Sequence, residues 1–173
     1  MLRSDRPLPI GSNPEIWSLA AVITLYRRPG FLLRRAHQLS VGLFEQECQA
    51  LKLTPPQFGV LHMLMHSDAM DQARLARGLG LDKVTVLHVV RGLEARGWLT
   101  RQASVTDRRK WALTLSEEGK SVYLQAQALA HQASEQLLSP LNTEEQQQLT
   151  LLLEKLCQGL EAKARTPFDP RPV

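Results

Sequence analysis

Leu79–Leu115, LGLDKVTVLHVVRGLEARGWLTRQASVTDRRKWALTL, decides the fold. It opens on the end of a short helix, and Gly80 supplies a residue free to take positive φ where the chain turns. Asp82 then caps a second helix that runs to about Arg96, with Val86, Val90 and Leu93 recurring at i, i+4 and i+7 on its inner face. Gly97 ends it. Leu99–Ala103 and Lys110–Leu115 follow as strands, the second alternating so that Trp111, Leu113 and Leu115 share a face. The basic loop SVTDRRK joins them. Two helices about a glycine turn, then a hairpin with a charged tip, form the layout of a winged helix-turn-helix, which sets one helix and one hairpin against a DNA duplex.

The charge distribution agrees with that layout. Between Gln72 and Lys110 nine Lys and Arg side chains face three carboxylates, a local charge of +6 in a chain of net +4, which leaves −2 elsewhere. A polyanion binder needs such a concentration of cations. The 173 residues fit one domain with appended helices. Two cysteines, Cys48 and Cys157, are too few for a disulfide framework and suit a reducing cytoplasm. No apolar run approaches the ~20 residues of a membrane span. The apolar stretch LAAVITLY has Glu15 before it and Arg27 and Arg28 after it, the reverse of a secretory signal. The chain carries no Gly-rich phosphate loop, no H-E-x-x-H and no nucleophile elbow, so no enzyme, metal centre or cofactor is expected.

Working outward, residues 1–30 form an N-terminal extension, Pro-rich to Gly11, with a short helix from about Pro14 to Tyr26 that Pro29-Gly30 breaks. From Phe31 to Lys52, Leu32, Ala36, Leu39 and Leu43 form one helical stripe, with Leu33, Val41, Phe44, Cys48 and Leu51 beside it. LTPPQFGVLHMLMH starts a helix with Thr54 as cap, Pro55 at the first position and Gln57 completing a capping box. Residues 67–70 are a break, and Asp71 caps the short helix Gln72–Leu79. Ser116, followed by Glu117 and Glu118, starts a long helix to about Leu138. Asn142 or Thr143 caps a last helix whose Leu149, Leu152, Leu153, Leu156 and Leu160 are too apolar for solvent. Composition marks residues 165–173 as a disordered tail. The fold class is mainly α with a small β-wing: a winged helix-turn-helix over 54–115, flanked by helices over 31–53 and 116–164.

On the recognition helix Asp82–Arg96, Thr85 and His88 can hydrogen-bond base edges, Lys83 and Arg91 suit a guanine edge or a phosphate, and Leu87 can touch a thymine methyl. Arg74 and Arg77 on the preceding helix suit phosphates. At the wing tip, Asp107, Arg108 and Arg109 place guanidinium groups where the minor groove attracts them, with Asp107 able to hold an Arg in position.

The chain resembles the MarR family over roughly Phe31 to Leu160, through LTPPQFGVLHML, RGLEARGWL, the wing triplet Asp107-Arg108-Arg109 and LTLSEEGK. The resemblance implies a homodimer in which the first helix and the last two interleave with those of a second subunit. It also implies a double-stranded DNA site read as a pseudo-palindrome, with recognition helices about 34 Å apart. Many members carry a further acidic residue and Arg before the wing Asp, where this chain has Ser104 and Thr106, and Arg109 is favoured for the minor groove. The stretch YRRPGFLLRRAHQ is similar to regulators of aromatic-acid catabolism, including those answering nicotinate-type acids, which implies a small aromatic acid effector and a repressor released by it. Arg34, Arg35 and His37 on the first helix and His62 and His66 on the second are the candidate carboxylate partners. His62 and His66, four apart, could also hold zinc, but no nearby Glu or Cys completes a site; Cys48 could sense peroxide, but it sits near the end of its helix on an apolar face, which favours a buried structural Cys. A winged-helix protein-interaction module is the rival from another class, disfavoured by the basic residues on both helix and wing.

Overall fold

The computed structural model describes residues 24–67, 69–103 and 111–170. Residues 24–26 are helical, and then come α1 (Pro29–Glu47), a 3₁₀ turn (Gln49–Leu51), α2 (Pro55–Met65), α3 (Gln72–Leu79) and α4 (Lys83–Ala95). Strands β1 (Leu99–Ala103) and β2 (Trp111–Leu115) precede α5 (Glu117–Leu138), α6 (Thr143–Leu160) and a closing 3₁₀ turn (Glu161–Lys163). Most of the helix expected over Pro14–Tyr26 lies outside the described residues. The helical residues end at Tyr26, as expected, and Pro29 and Gly30 open α1 two residues before the expected Phe31, because a first-turn residue needs no N–H partner. The chain divides into two compact units, residues 1–39 and 40–173.

Local chemistry sets the element ends. Asp71 Oδ1 accepts from Arg74 N at 2.7 Å, and Asp82 Oδ1 from both Val84 N and Thr85 N at 2.9 Å. Ser116 Oγ accepts from Gly119 N at 3.0 Å, while Asn142 and Glu145 form a reciprocal box at 2.9 and 3.0 Å. Each cap satisfies donors that the helix itself cannot and contributes about 1 kcal/mol. Gly80, at φ 61°, closes α3 with its N–H directed to the carbonyls of Ala76 and Arg77.

The core of the second unit is built around α2, which packs on α3, α4, α5 and β2. Leu53, Val60, Leu61, Leu75, Val86, Val90, Leu93, Leu99 and Leu113 are buried there. At about 1.5–3 kcal/mol for each large side chain, this burial is the main force assembling the unit. β1 and β2 pair antiparallel, Leu99 opposite Leu115 and Arg101 opposite Leu113. The expected break at 67–70 ends in a one-residue third strand: Met70 N donates to Leu113 O at 3.1 Å and accepts at its O from Leu113 N at 2.8 Å. Trp111 shares its side of the hairpin with buried Leu113 but is half exposed, since it stands at the outer end.

Two further contacts fix the hairpin and α4 to the rest. Gly119 lies so close to the Trp98 carbonyl that a Cβ there would overlap it. Arg96 stacks on the Trp98 ring, 3.4 Å from its centroid, and donates to the carbonyls of Leu51 and Lys52.

The segment expected as a disordered tail, residues 165–173, is described to Pro170 and makes specific contacts with the end of α3. Thr166 Oγ1 donates to Gly80 O at 2.8 Å, Asp169 N to Arg77 O at 2.9 Å, and Arg74 Nη1 to Asp169 O at 3.1 Å. The carbonyls at the end of α3 give an extended segment something to bind, and its prolines reduce the entropy lost in docking. By contrast α6 buries none of its residues within one chain, and Leu151, Leu152 and Leu156 stand exposed on it. No helix among the described residues is long and apolar enough to cross a membrane.

Candidate functional site

On α4 the buried side is Val86, Val90 and Leu93, as the spacing predicts. The opposite side exposes Lys83, Val84, His88 and Arg91, with Thr85 and Leu87 half-buried at its edges. Val84, 62 % exposed, is absent from the sequence-based candidates. Its signal was present: Val84, His88 and Arg91 stand at i, i+4 and i+7, so an apolar side chain sits in a polar row. An exposed methyl pair there suits a thymine methyl better than half-buried Leu87. Thr85 has a prior engagement, its hydroxyl donating to Asp82 Oδ2 at 2.6 Å. That bond, with those from the Thr85 and Val84 amides, holds the Asp82 carboxyl below the usual range.

The basic residues of the lobe do not all face outward. Arg74 turns to the Asp169 carbonyl and lies 3.7 Å from its carboxylate, its side chain only 12 % exposed. Arg96 is occupied by Trp98 and two carbonyls, and Arg101 pairs with Glu94 at 3.2 Å beside the Trp111 ring. Arg77, Lys83 and Arg91 are exposed and make no ion pair among the described residues. The wing-tip candidates Asp107, Arg108 and Arg109 lie outside the described residues.

A second cluster lies between α2 and α5. The Tyr123 hydroxyl meets His62 Nδ1 at 3.0 Å and His66 Nε2 at 3.2 Å. One hydroxyl carries one proton, so with both imidazoles neutral it donates to one ring and accepts from the other. The two imidazoles are edge to face at 4.7 Å, the Phe58 ring stacks on Tyr123 at 5.9 Å, and Phe44 follows Phe58 at 5.6 Å. Burial, and then the charge of His66, push the His62 pKa down, and burial pushes Tyr123 up. A row of flat rings ending in two imidazoles and a phenol can take a planar ring by stacking and a carboxylate by charge. Tyr123, 1 % exposed, was not among the candidates, because nothing local in α5 shows that its hydroxyl meets histidines 57 and 61 residues away.

Arg34, Arg35 and His37 are exposed on the part of α1 that belongs to the first unit. Arg34 donates to Gln38 Oε1 at 3.1 Å and its guanidinium lies 5.0 Å from the Phe31 ring centroid. Among the described residues no third His, Cys, Asp or Glu joins His62 and His66 to hold a metal ion. Cys48 is fully buried, and burial and Glu47 raise its thiol pKa, which disfavours the reactive thiolate.

The MarR family profile matches residues 53–111, which span α2 through the start of β2. The HTH-type transcriptional repressor NicR of Pseudomonas putida is 32 % identical over 127 residues, covering 73 % of this chain and 80 % of NicR. The structure of Bordetella bronchiseptica BpsR, described as regulated in its DNA binding by 6-hydroxynicotinic acid, is 32 % identical with a TM-score of 0.72, covering 76 % of this chain and 94 % of BpsR. The repressor CouR, solved bound to a 23-mer DNA duplex, is 28 % identical with a TM-score of 0.72, covering 77 % of this chain and 94 % of CouR. Motifs, fold and relatives agree, and the chain belongs to the MarR family of winged helix-turn-helix transcriptional regulators.

Proposed function

We propose that the protein is a homodimeric repressor that binds a pseudo-palindromic operator and leaves it when a small aromatic carboxylate, of hydroxybenzoate or nicotinate type, occupies the cluster around Tyr123. Lys83, Val84, His88 and Arg91 enter the major groove, Arg77 contacts phosphate, and the wing with Asp107, Arg108 and Arg109 lies at the minor groove. The exposed leucines of α6 form part of the dimer interface, since a face this apolar is not left in water.

The observation that carries the effector reading is the Tyr123 hydroxyl held between His62 and His66 beneath the Phe58 ring. The likeness to BpsR supports the ligand class. An effector that binds one spacing of the two DNA lobes better than the other shifts the population toward it, and operator affinity falls by that difference. The test is a gel shift on DNA flanking the gene, with hydroxybenzoates, nicotinates, Zn²⁺ and peroxide in turn. Release by an aromatic acid, lost in Tyr123→Phe and His62→Ala, is the expected result. Release by metal or oxidant alone would replace the reading.

A further inference from the structure

The docked tail changes the surface beside the recognition helix. Arg165 comes to line one groove with Arg77, at the end of α3, and Lys83, the first residue of α4. The three cations are exposed and without an ion pair among the described residues. The carboxylate in the groove wall, Asp82, is turned to the amides of Val84 and Thr85 and to the Thr85 hydroxyl. Three cations against the one carboxylate of Asp82 leave the groove net positive, so an anion placed among them is attracted.

We infer that this groove is a further DNA phosphate site, built jointly by the helix-turn-helix and the C-terminal segment, with Arg165 as its added contact. The inference rests on the DNA-binding reading above. Position favours a backbone phosphate, because Lys83 opens the helix that enters the major groove and phosphates flank that groove. Arg165 is not on a loose end. Thr166 next to it is bonded to Gly80 O, Asp169 to Arg77 O and to Arg74, and Phe168 N to Glu161 Oε1 at 2.9 Å. Ordering Arg165 therefore accompanies folding rather than DNA binding, which lowers the entropic cost of the contact.

Phosphate contacts are sequence-independent, so the test needs no operator. Full-length protein is titrated by fluorescence anisotropy against a mixed-sequence duplex of about three helical turns, across a range of NaCl concentrations. Arg165→Ala, and truncation after Ala164, should each weaken binding about fivefold and reduce the salt slope by about 0.9 per protomer. Thr166→Val, which removes the bond to Gly80 O but keeps Arg165 and the charge of the segment, should give a smaller loss. Arg91→Ala serves as the control on the recognition helix. If it weakens binding while Arg165→Ala leaves affinity and slope unchanged, the groove is not a phosphate site and the DNA-binding reading stands. Tighter binding after truncation or Thr166→Val would overturn the inference in favour of a tail that screens the lobe. No duplex binding by the parent protein would remove both.

Discussion

The DNA-reading lobe and the last helix of this chain are finished to different degrees. Around α2 every large core side chain has its partners within one chain: Val60, Leu61, Leu75, Val86, Val90 and Leu93 are all fully buried. On α6 no residue is buried, although Asn142 and Glu145 cap it as carefully as any helix in the lobe. Capping marks α6 as a helix on local grounds, while its leucines find no burial within one chain. One chain is therefore enough to shape the lobe, while α6 keeps an apolar face that the proposed second subunit would cover.

The strongest way to break that comparison is to charge the open face. Leu152→Glu with Leu156→Glu alters side chains that are 57 % and 43 % exposed, so the lobe should keep its fold and its melting transition. If a second subunit covers them, each loses about 1.5–3 kcal/mol of burial per copy and adds an unpaired buried charge. We expect a monomer by light scattering and a loss of operator affinity of more than about 100-fold, since about 2.7 kcal/mol suffices for that. A dimer of unchanged mass would mean that α6 is not the interface.

The closed lobe should respond in the opposite way. Gly119→Ala puts a Cβ into the Trp98 carbonyl at the point where α5 leaves β2, and backbone cannot yield as a side-chain tip can. A loss of about 1–3 kcal/mol in urea unfolding is expected, with the dimer mass unchanged for the fraction still folded. Unchanged stability would show that α5 and the hairpin are not clamped as described.

A subtler contrast lies within the lobe, between cations that hold it together and cations that face DNA. Arg96→Met removes two hydrogen bonds to the carbonyls of Leu51 and Lys52 and the stack on Trp98, and should cost about 1–3 kcal/mol of stability with little change in salt dependence. Arg91→Ala should do the reverse, leaving stability within about 0.5 kcal/mol and lowering the salt slope for duplex DNA. If both variants weaken DNA binding equally, the division between them is wrong.

That division marks where the sequence stops being informative. Helix starts at Asp71, Asp82, Ser116 and Asn142 were readable because a cap and its amide lie two or three residues apart. Gly80 was readable for the same local reason. The local charge of +6 pointed to the right lobe but counted Arg74, Arg96 and Arg101 with the exposed cations, although their partners are a tail carbonyl, an aromatic ring and Glu94. Tyr123 and the docked tail were missed because their partners lie 57 or more residues away. Val84 alone could have been found, as an apolar side chain in an otherwise polar row.

The smallest expected effect tests whether the Tyr123 cluster belongs to the closed lobe or to a ligand. Folding lowers the His62 pKa from its ordinary value near 6.5, chiefly through burial and then through His66. A depressed histidine favours the native state fully above the unfolded pKa, and that contribution fades as pH falls through the folded value, where the unfolded chain holds more protons. The urea midpoint should therefore drift down below about pH 6.5, and His62→Gln should flatten that drift. A carboxylate bound beside His62 reverses the bias, because its charge favours imidazolium. Effector binding near pH 6 should then take up a fraction of a proton, read by calorimetry in two buffers of different ionisation enthalpy. Equal heats in both buffers would leave His62 and His66 as hydrogen-bond partners of Tyr123 and move the carboxylate to another part of the molecule.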